Sequence, residues 1–112
     1  MARINYVELT AANIAEAQAF YAAAFGFAFT GFGPSYAATT TGDVDLGLQG
    51  DSGEATAAPL AVIEVEDLEA ALAAVEGAGA TVTRAIFAFP GGRRFHFVDP
   101  SGNELAVLET DG

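Results

Sequence analysis

The order strand, helix, three strands can be read twice along this chain, and that duplication limits its possible folds more than any other feature. In the first half, residues 4–10 alternate as a strand does, with Val7 and Leu9 on one face and Tyr6 and Glu8 on the other. Asn13 is a good helix N-cap, and Glu16 stands three residues later, as in a capping box. Ile14, Ala17, Tyr21, Ala24 and Phe25 then form an apolar stripe at helical spacing. Gly26 suits a left-handed helix end. Strands are expected near residues 27–32, 36–40 and 44–49, with Gly33-Pro34 and Gly42-Asp43 between them.

The second half repeats the order. A strand over residues 60–65 precedes Asp67, the next N-cap, and Leu68, Ala71, Leu72 and Val75 make the stripe. Gly77-Ala78-Gly79 ends the helix. Strands are expected at residues 80–86, 94–98 and 104–109. Setting Asn13 on Asp67 also aligns Ile14 with Leu68 and Ala17 with Ala71. The expectation is one domain over residues 1–112: a βαβββ module over about 1–49, a small polar linker at 50–59, and a second module over about 60–112.

Composition narrows the function. Hydrophobic residues make up 52% of the 112, enough for a folded core of modest size. The net charge is −11, and the basic residues besides His96 are Arg3, Arg84, Arg93 and Arg94. Nucleic-acid binding needs clustered cations, so neither a nucleic acid nor an anionic membrane is expected as a partner. No apolar run reaches the ~20 residues that span a bilayer. Cysteine is absent, which removes disulfides, thiolate nucleophiles and thiolate metal sites. With no signal-like apolar stretch after Met1, these features point to a cytoplasmic protein.

The segment from Arg94 to Glu109 reads as a hairpin with Asp99-Pro100-Ser101-Gly102-Asn103 at its tip. Together with Tyr6-x-Glu8-Leu9, Ala19-Phe20-Tyr21, Phe25-Gly26 and Pro90-Gly91-Gly92-Arg93, it resembles the vicinal oxygen chelate superfamily. That superfamily contains glyoxalase I, extradiol dioxygenases, fosfomycin-resistance enzymes and bleomycin-binding resistance proteins. The resemblance covers nearly the whole chain. It implies an α+β fold in which two βαβββ modules form a curled mixed sheet around a cleft, with the helices outside. It also implies a homodimer, in which modules from one chain or from two could close each cleft.

Metal-dependent relatives carry a ligand on the first and on the last strand of each module. The first-strand position, seven residues before the helix cap, falls on Tyr6 and on Leu60. The last-strand position of the second module, seven residues after the turn aspartate, falls on Ala106. The fourth lies within residues 44–49, where the spacing leaves the register open. Leucine and alanine offer no donor atom, and a neutral phenol is a poor ligand. A catalytic divalent ion needs about three protein ligands. No metal and no cofactor are therefore expected.

Strand parity gives the rest of the candidate site. Glu8 shares a face with Tyr6, Leu108 and Glu104 share one with Ala106, and Val62 shares one with Leu60. His96, three residues before Asp99, takes the place of a substrate-contacting tyrosine of fosfomycin-resistance relatives, and Arg94 shares its face. Tyr6, Glu8, Leu60, Val62, Arg94, His96, Ala106 and Leu108 are thus the expected ligand-binding residues of a largely apolar cleft. The leading functional expectation is metal-independent binding of a small, partly apolar molecule, as in the bleomycin-binding proteins. Their drugs are cationic, which an acidic chain suits loosely. The alternative is a lyase or isomerase acting on a small carbonyl compound, with Glu8 and His96 as acid and base.

Overall fold

A computed structural model describes residues 2–111. The element order is β1 (Arg3–Thr10), α1 (Ile14–Phe25), β2 (Phe29–Gly31), β3 (Tyr36–Thr39), β4 (Asp45–Gln49), β5 (Leu60–Glu64), α2 (Leu68–Gly77), β6 (Thr81–Phe89), β7 (Gly92–Val98) and β8 (Glu104–Thr110). The fold is α+β, with parallel and antiparallel strand pairs and the βαβββ order occurring twice. Contacts group the chain into two compact units: Tyr6–Leu60, and the residues from Ala61 onward with the first few of β1.

In the first unit the strand order is β2-β3-β4-β1, with β1 and β4 parallel and the other pairs antiparallel. Asn13 caps α1 by accepting from the Glu16 amide at 2.9 Å, and Gly26 closes it at φ 73°. These local signals act as the sequence suggested. The stripe along α1 is covered only in part: Ile14, Ala17 and Tyr21 are half-buried, while Ala24 is exposed and Phe25 is 65% exposed. β2 is a three-residue strand, shorter than the six residues expected. It follows an exposed, apolar Phe27-Ala28, whose hydrophobicity looked like strand pattern.

In the second unit the order is β5-β8-β7-β6, with β5 and β8 parallel. Asp67 caps α2 through the Ala70 amide at 3.0 Å. Glu109 accepts from the Leu68 amide at 3.0 Å, so the last strand also holds the start of the helix. Leu68, Phe95, Phe97 and Val107 form the core beneath α2. β6 runs on to Phe89 and β7 begins at Gly92, so Pro90-Gly91 is the tip of a longer hairpin than expected. Register shifts between Val82 and Arg84, and between Arg84 and Phe87, break the two-residue period that would have revealed this extension.

The Asp99–Asn103 turn forms as the sequence suggested. Asp99 Oδ1 accepts from the Ser101 and Asn103 amides, both at 2.9 Å, and Gly102 sits at φ 88°. These bonds, those from Asn103 foremost, hold the Asp99 carboxyl below the usual carboxylate range.

Candidate functional site

Each half-sheet has two chemically different faces. In the first unit one face carries Leu48 and Ala37, 1% and 0% exposed. The other carries Tyr6 and Glu8 from β1, Tyr36 and Ala38 from β3, and Asp45, Gly47 and Gln49 from β4, as strand parity dictates. Glu8 lies opposite Gly47, and Gly47 opposite Ala38. Tyr36 Oη donates to Glu8 Oε1 at 2.9 Å, and the Tyr6 and Tyr36 hydroxyls meet at 2.5 Å. A phenol has one proton, so Tyr36 donates to Glu8 and accepts from Tyr6. Burial, reinforced by the negative charge of Glu8, pushes the Tyr36 phenol far up, so Tyr36 remains a donor throughout the working pH range. Gly47 makes this arrangement possible: a Cβ there would run into both tyrosine hydroxyls.

Asp45 serves the neighbouring turn. Its Oδ1 accepts from Thr39 Oγ1 at 2.7 Å and from the amide and hydroxyl of Thr41, both at 2.8 Å. Its Oδ2 accepts from the Gly42 amide at 3.0 Å. Burial pushes its carboxyl up, but these bonds outweigh burial and hold it below its ordinary value.

In the second unit the face away from α2 carries two adjacent rows of paired residues. One is Val62, Ala106, His96 and Arg84; the other is Glu64, Leu108, Arg94 and Phe87. His96 is 1% exposed. Its Nδ1 bonds to Glu104 Oε2 at 2.8 Å, while Nε2 is buried and has no hydrogen-bond partner. The carboxylate requires a hydrogen on Nδ1, so neutral His96 presents Nε2 as a bare acceptor. Burial lowers the His96 pKa, and Arg94 and Arg84 add to this, against the raising effect of Glu104.

That shift gives a testable pH dependence. The folded chain holds His96 neutral, so the unfolded chain takes up the proton first. Stability from this source is complete above the ordinary value of 6.5 and falls as pH drops below it towards the folded value. The expected result for His96→Gln is a flatter dependence of melting temperature on pH between about 7 and 5 than in the parent chain. Equal slopes would show that His96 is not held neutral.

The expected site residues thus fall into two groups. Tyr6 and Glu8 meet, joined by Tyr36. Val62, Arg94, His96, Ala106 and Leu108 share one face, and Leu60, 0% exposed, precedes Val62 by two residues on β5. Glu104, whose facing direction parity gave, turns out to orient His96. Arg84, Phe87 and Gly47 were missed. Bulges in β6 hid the first two, and a glycine has no side chain to advertise a role. Arg93 belongs elsewhere: it binds Glu69 at 2.7 and 3.0 Å and Glu109 at 3.1 Å. Asp67, Glu69 and Glu109 form a carboxylate cluster at this spot, which Arg93 and the α2 cap already use.

The model of the Glyoxalase/Bleomycin resistance protein/Dioxygenase superfamily matches residues 3–107, and the chain belongs to that superfamily. A comparison with curated proteins returns no match. Among solved structures, a hypothetical protein from Bacillus halodurans C-125 is similar, with a TM-score of 0.82 and 13% identity over 99% of this chain and 96% of that one. Methylmalonyl-CoA epimerase from Mycobacterium tuberculosis has a TM-score of 0.77 and 14% identity over 97% of this chain and 88% of that one. A Mn(II)-bound glyoxalase from Novosphingobium aromaticivorans has a TM-score of 0.70 and 22% identity, covering 97% of this chain and 40% of that one.

Strand register now supplies the fourth metal position. Ala106 pairs with Val62, two residues beyond Leu60. The same offset from Tyr6 reaches Glu8, whose partner is Gly47. The two modules therefore offer Tyr6 with Gly47, and Leu60 with Ala106. Three of these have no donor atom, and the phenol of Tyr6 is engaged with Tyr36. The set does not fit a divalent ion.

Proposed function

We propose that this chain binds a small, partly apolar molecule on the helix-free strand faces, without a metal ion. The supporting observation is the placing of ionisable groups. Glu8 and His96 are 3% and 1% exposed and lie away from the apolar faces. Burying such groups is unfavourable unless something is gained by it. Pockets with an apolar wall and a few oriented polar groups are the usual sites for small ligands. Val62, Ala106 and Leu108 supply such a wall beside His96. The test is an NMR fragment screen of the labelled chain in excess chelator. Hits should perturb β1, β3, β7 and β8. Hits confined to other surfaces, or none at all, would overturn the proposal.

One observation favours a second reading, a lyase or isomerase acting on a small carbonyl compound. His96 Nδ1 is held by Glu104 while Nε2 has no partner, an arrangement suited to a general base. In that reaction the carbon next to the carbonyl gives its proton to Nε2, and the bonding pair moves into the enolate. The protonated His96 then returns a proton to the enolate carbon. Proton exchange of such compounds in deuterated water, absent in His96→Gln, would support it.

The proposed assembly is a homodimer in the cytoplasm. Among the described residues no helix is long and apolar enough to cross a membrane. An open groove of about 710 Å³ between α1 and the β2–β3 region is lined by Ile14, Gln18, Phe27, Phe29 and Pro34, among others. Phe20, Phe25 and Phe32 are exposed in the same unit. Apolar surface of this kind commonly marks an interface, and a twofold pair is the commonest closed solution. Light scattering at micromolar concentration is expected to give twice the 11.4 kDa chain mass. A species at the single-chain mass would reject the dimer.

A further inference from the structure

His96 is 1% exposed, and a proton added to it has no place to settle. Nδ1 already carries a hydrogen for Glu104 Oε2 at 2.8 Å, so an incoming proton goes to Nε2. Nε2 is buried and has no hydrogen-bond partner among the described residues. A buried donor left unpaired on a charged ring is one of the costlier arrangements a fold can hold.

The charges around the ring add to that cost. On β6, Arg84 stands opposite His96 in the strand ladder. Its guanidinium lies 3.9 Å from the centre of the Phe87 ring, and that ring lies 5.9 Å from the His96 ring. On β7, Arg94 shares the face of His96, with its guanidinium 5.4 Å from the same phenyl ring. Both arginines have further interactions in the folded chain. On β8, Glu104 is the carboxylate bonded to the imidazole. On β5, Glu64 stands in the neighbouring row and pairs with Arg3 at 3.8 Å. Burial first, then Arg94 and Arg84, oppose the charged ring, against the pull of Glu104.

Strand β6 can give way at this point. It ends the strand order, so β7 alone holds it from the side. Its register against β7 shifts between Val82 and Arg84 and again between Arg84 and Phe87. Arg84 and His96 are therefore an isolated pair, and Thr83, Ala85 and Ile86 have no partner in the ladder. Thr83 and Ala85 are exposed, and Arg84 and Ile86 are half-buried. A segment with few paired backbone groups and little buried apolar surface is the kind that opens by itself.

We propose that residues 83–86 form an acid-sensitive flap: protonation of His96 lifts this segment from β7 at the Arg84–His96 pair while the rest of the unit stays folded. Lifting carries the Arg84 charge away and lets water accept from Nε2. It also opens the face of His96, Ala106 and Val62 from its β6 end. The flap needs no ligand, so it goes beyond the small-molecule reading and is tested apart from it.

The test is amide hydrogen exchange by NMR between about pH 7.5 and 5, with each rate divided by that of an unstructured peptide at the same pH. Protection of the β6 and β7 amides flanking Arg84 and His96 is expected to be flat above the ordinary histidine value of 6.5. Below it, protection should fall about tenfold per pH unit, the slope of one proton taken up on opening. Low urea should not change these amides, whereas the most protected amides of β8 should stay slower and respond to urea. In His96→Gln the β6 protection should no longer depend on pH. Protection in β6 that stays flat to pH 5, or that falls equally in His96→Gln, would overturn the flap. So would β6 and β8 amides that share one protection and one urea response, since the opening is then global. Where the variant fails to fold, imidazole nitrogen shifts of the unaltered chain decide. The closed chain should keep His96 neutral where β6 protection already falls, and a closed chain with protonated His96 at that pH would overturn the inference.

Discussion

Phe95→Ala is expected to remove about 3–5 kcal/mol of stability, the usual cost of deleting a buried phenyl ring. Phe95 is 0% exposed and packs with Leu68, Phe97 and Val107 beneath α2. The loss combines transfer of the ring to water with the cavity left between strand and helix. A small domain has about 5–15 kcal/mol in total, so the variant should be close to unfolding at room temperature. Urea titration followed by far-ultraviolet circular dichroism measures this. A loss below about 1 kcal/mol would mean that the core is not centred there. Phe25→Ala on α1 is the matching control, because Phe25 is 65% exposed. Its effect on a single chain should stay within about 0.5 kcal/mol.

Gly47→Val is expected to cost about 1–3 kcal/mol through overpacking. Its Cβ would collide with the hydroxyls of Tyr6 and Tyr36. The tyrosines must then separate, and the bond from Tyr36 to Glu8 goes with them. The second unit should be untouched, so amide shifts in β7 and β8 serve as an internal reference. Amide and aromatic shifts of β1, β3 and β4 should move. If melting temperature and tyrosine resonances both match the parent chain, the three-residue chain of hydrogen bonds is not present in solution.

The contrast between these two sites shows what could be read from the residues alone. Local chemistry was legible. Asn13, Asp67, Gly26 and the Asp99–Asn103 turn act through neighbours a few residues away, so sequence spacing specifies them. Parity then correctly put Glu8 with Tyr6, and His96 with Arg94, because a regular strand alternates. The remainder depended on pairing between distant strands. Gly47 matters only because β4 runs parallel to β1 in one register, which brings it opposite Glu8. Arg84 and Phe87 share a face only because β6 bulges, and a bulge breaks the period used to find it. The stripe along α1 had helical spacing, yet only Ile14, Ala17 and Tyr21 are half-buried, and Ala24 and Phe25 are exposed. Periodicity reports which face is apolar and not what covers it.

On the proposed reading these strand faces recognise a ligand through hydrogen bonds and fixed charges, without an ion such as the Mn(II) bound by the similar glyoxalase. The most direct measurement is native mass spectrometry of the chain after incubation with Mn(II), Ni(II) or Zn(II), paired with melting curves over the same concentrations. The expected result is no stoichiometric ion and a melting temperature that does not rise with metal concentration. One ion bound per chain, with stability increasing as the logarithm of metal concentration, would contradict it.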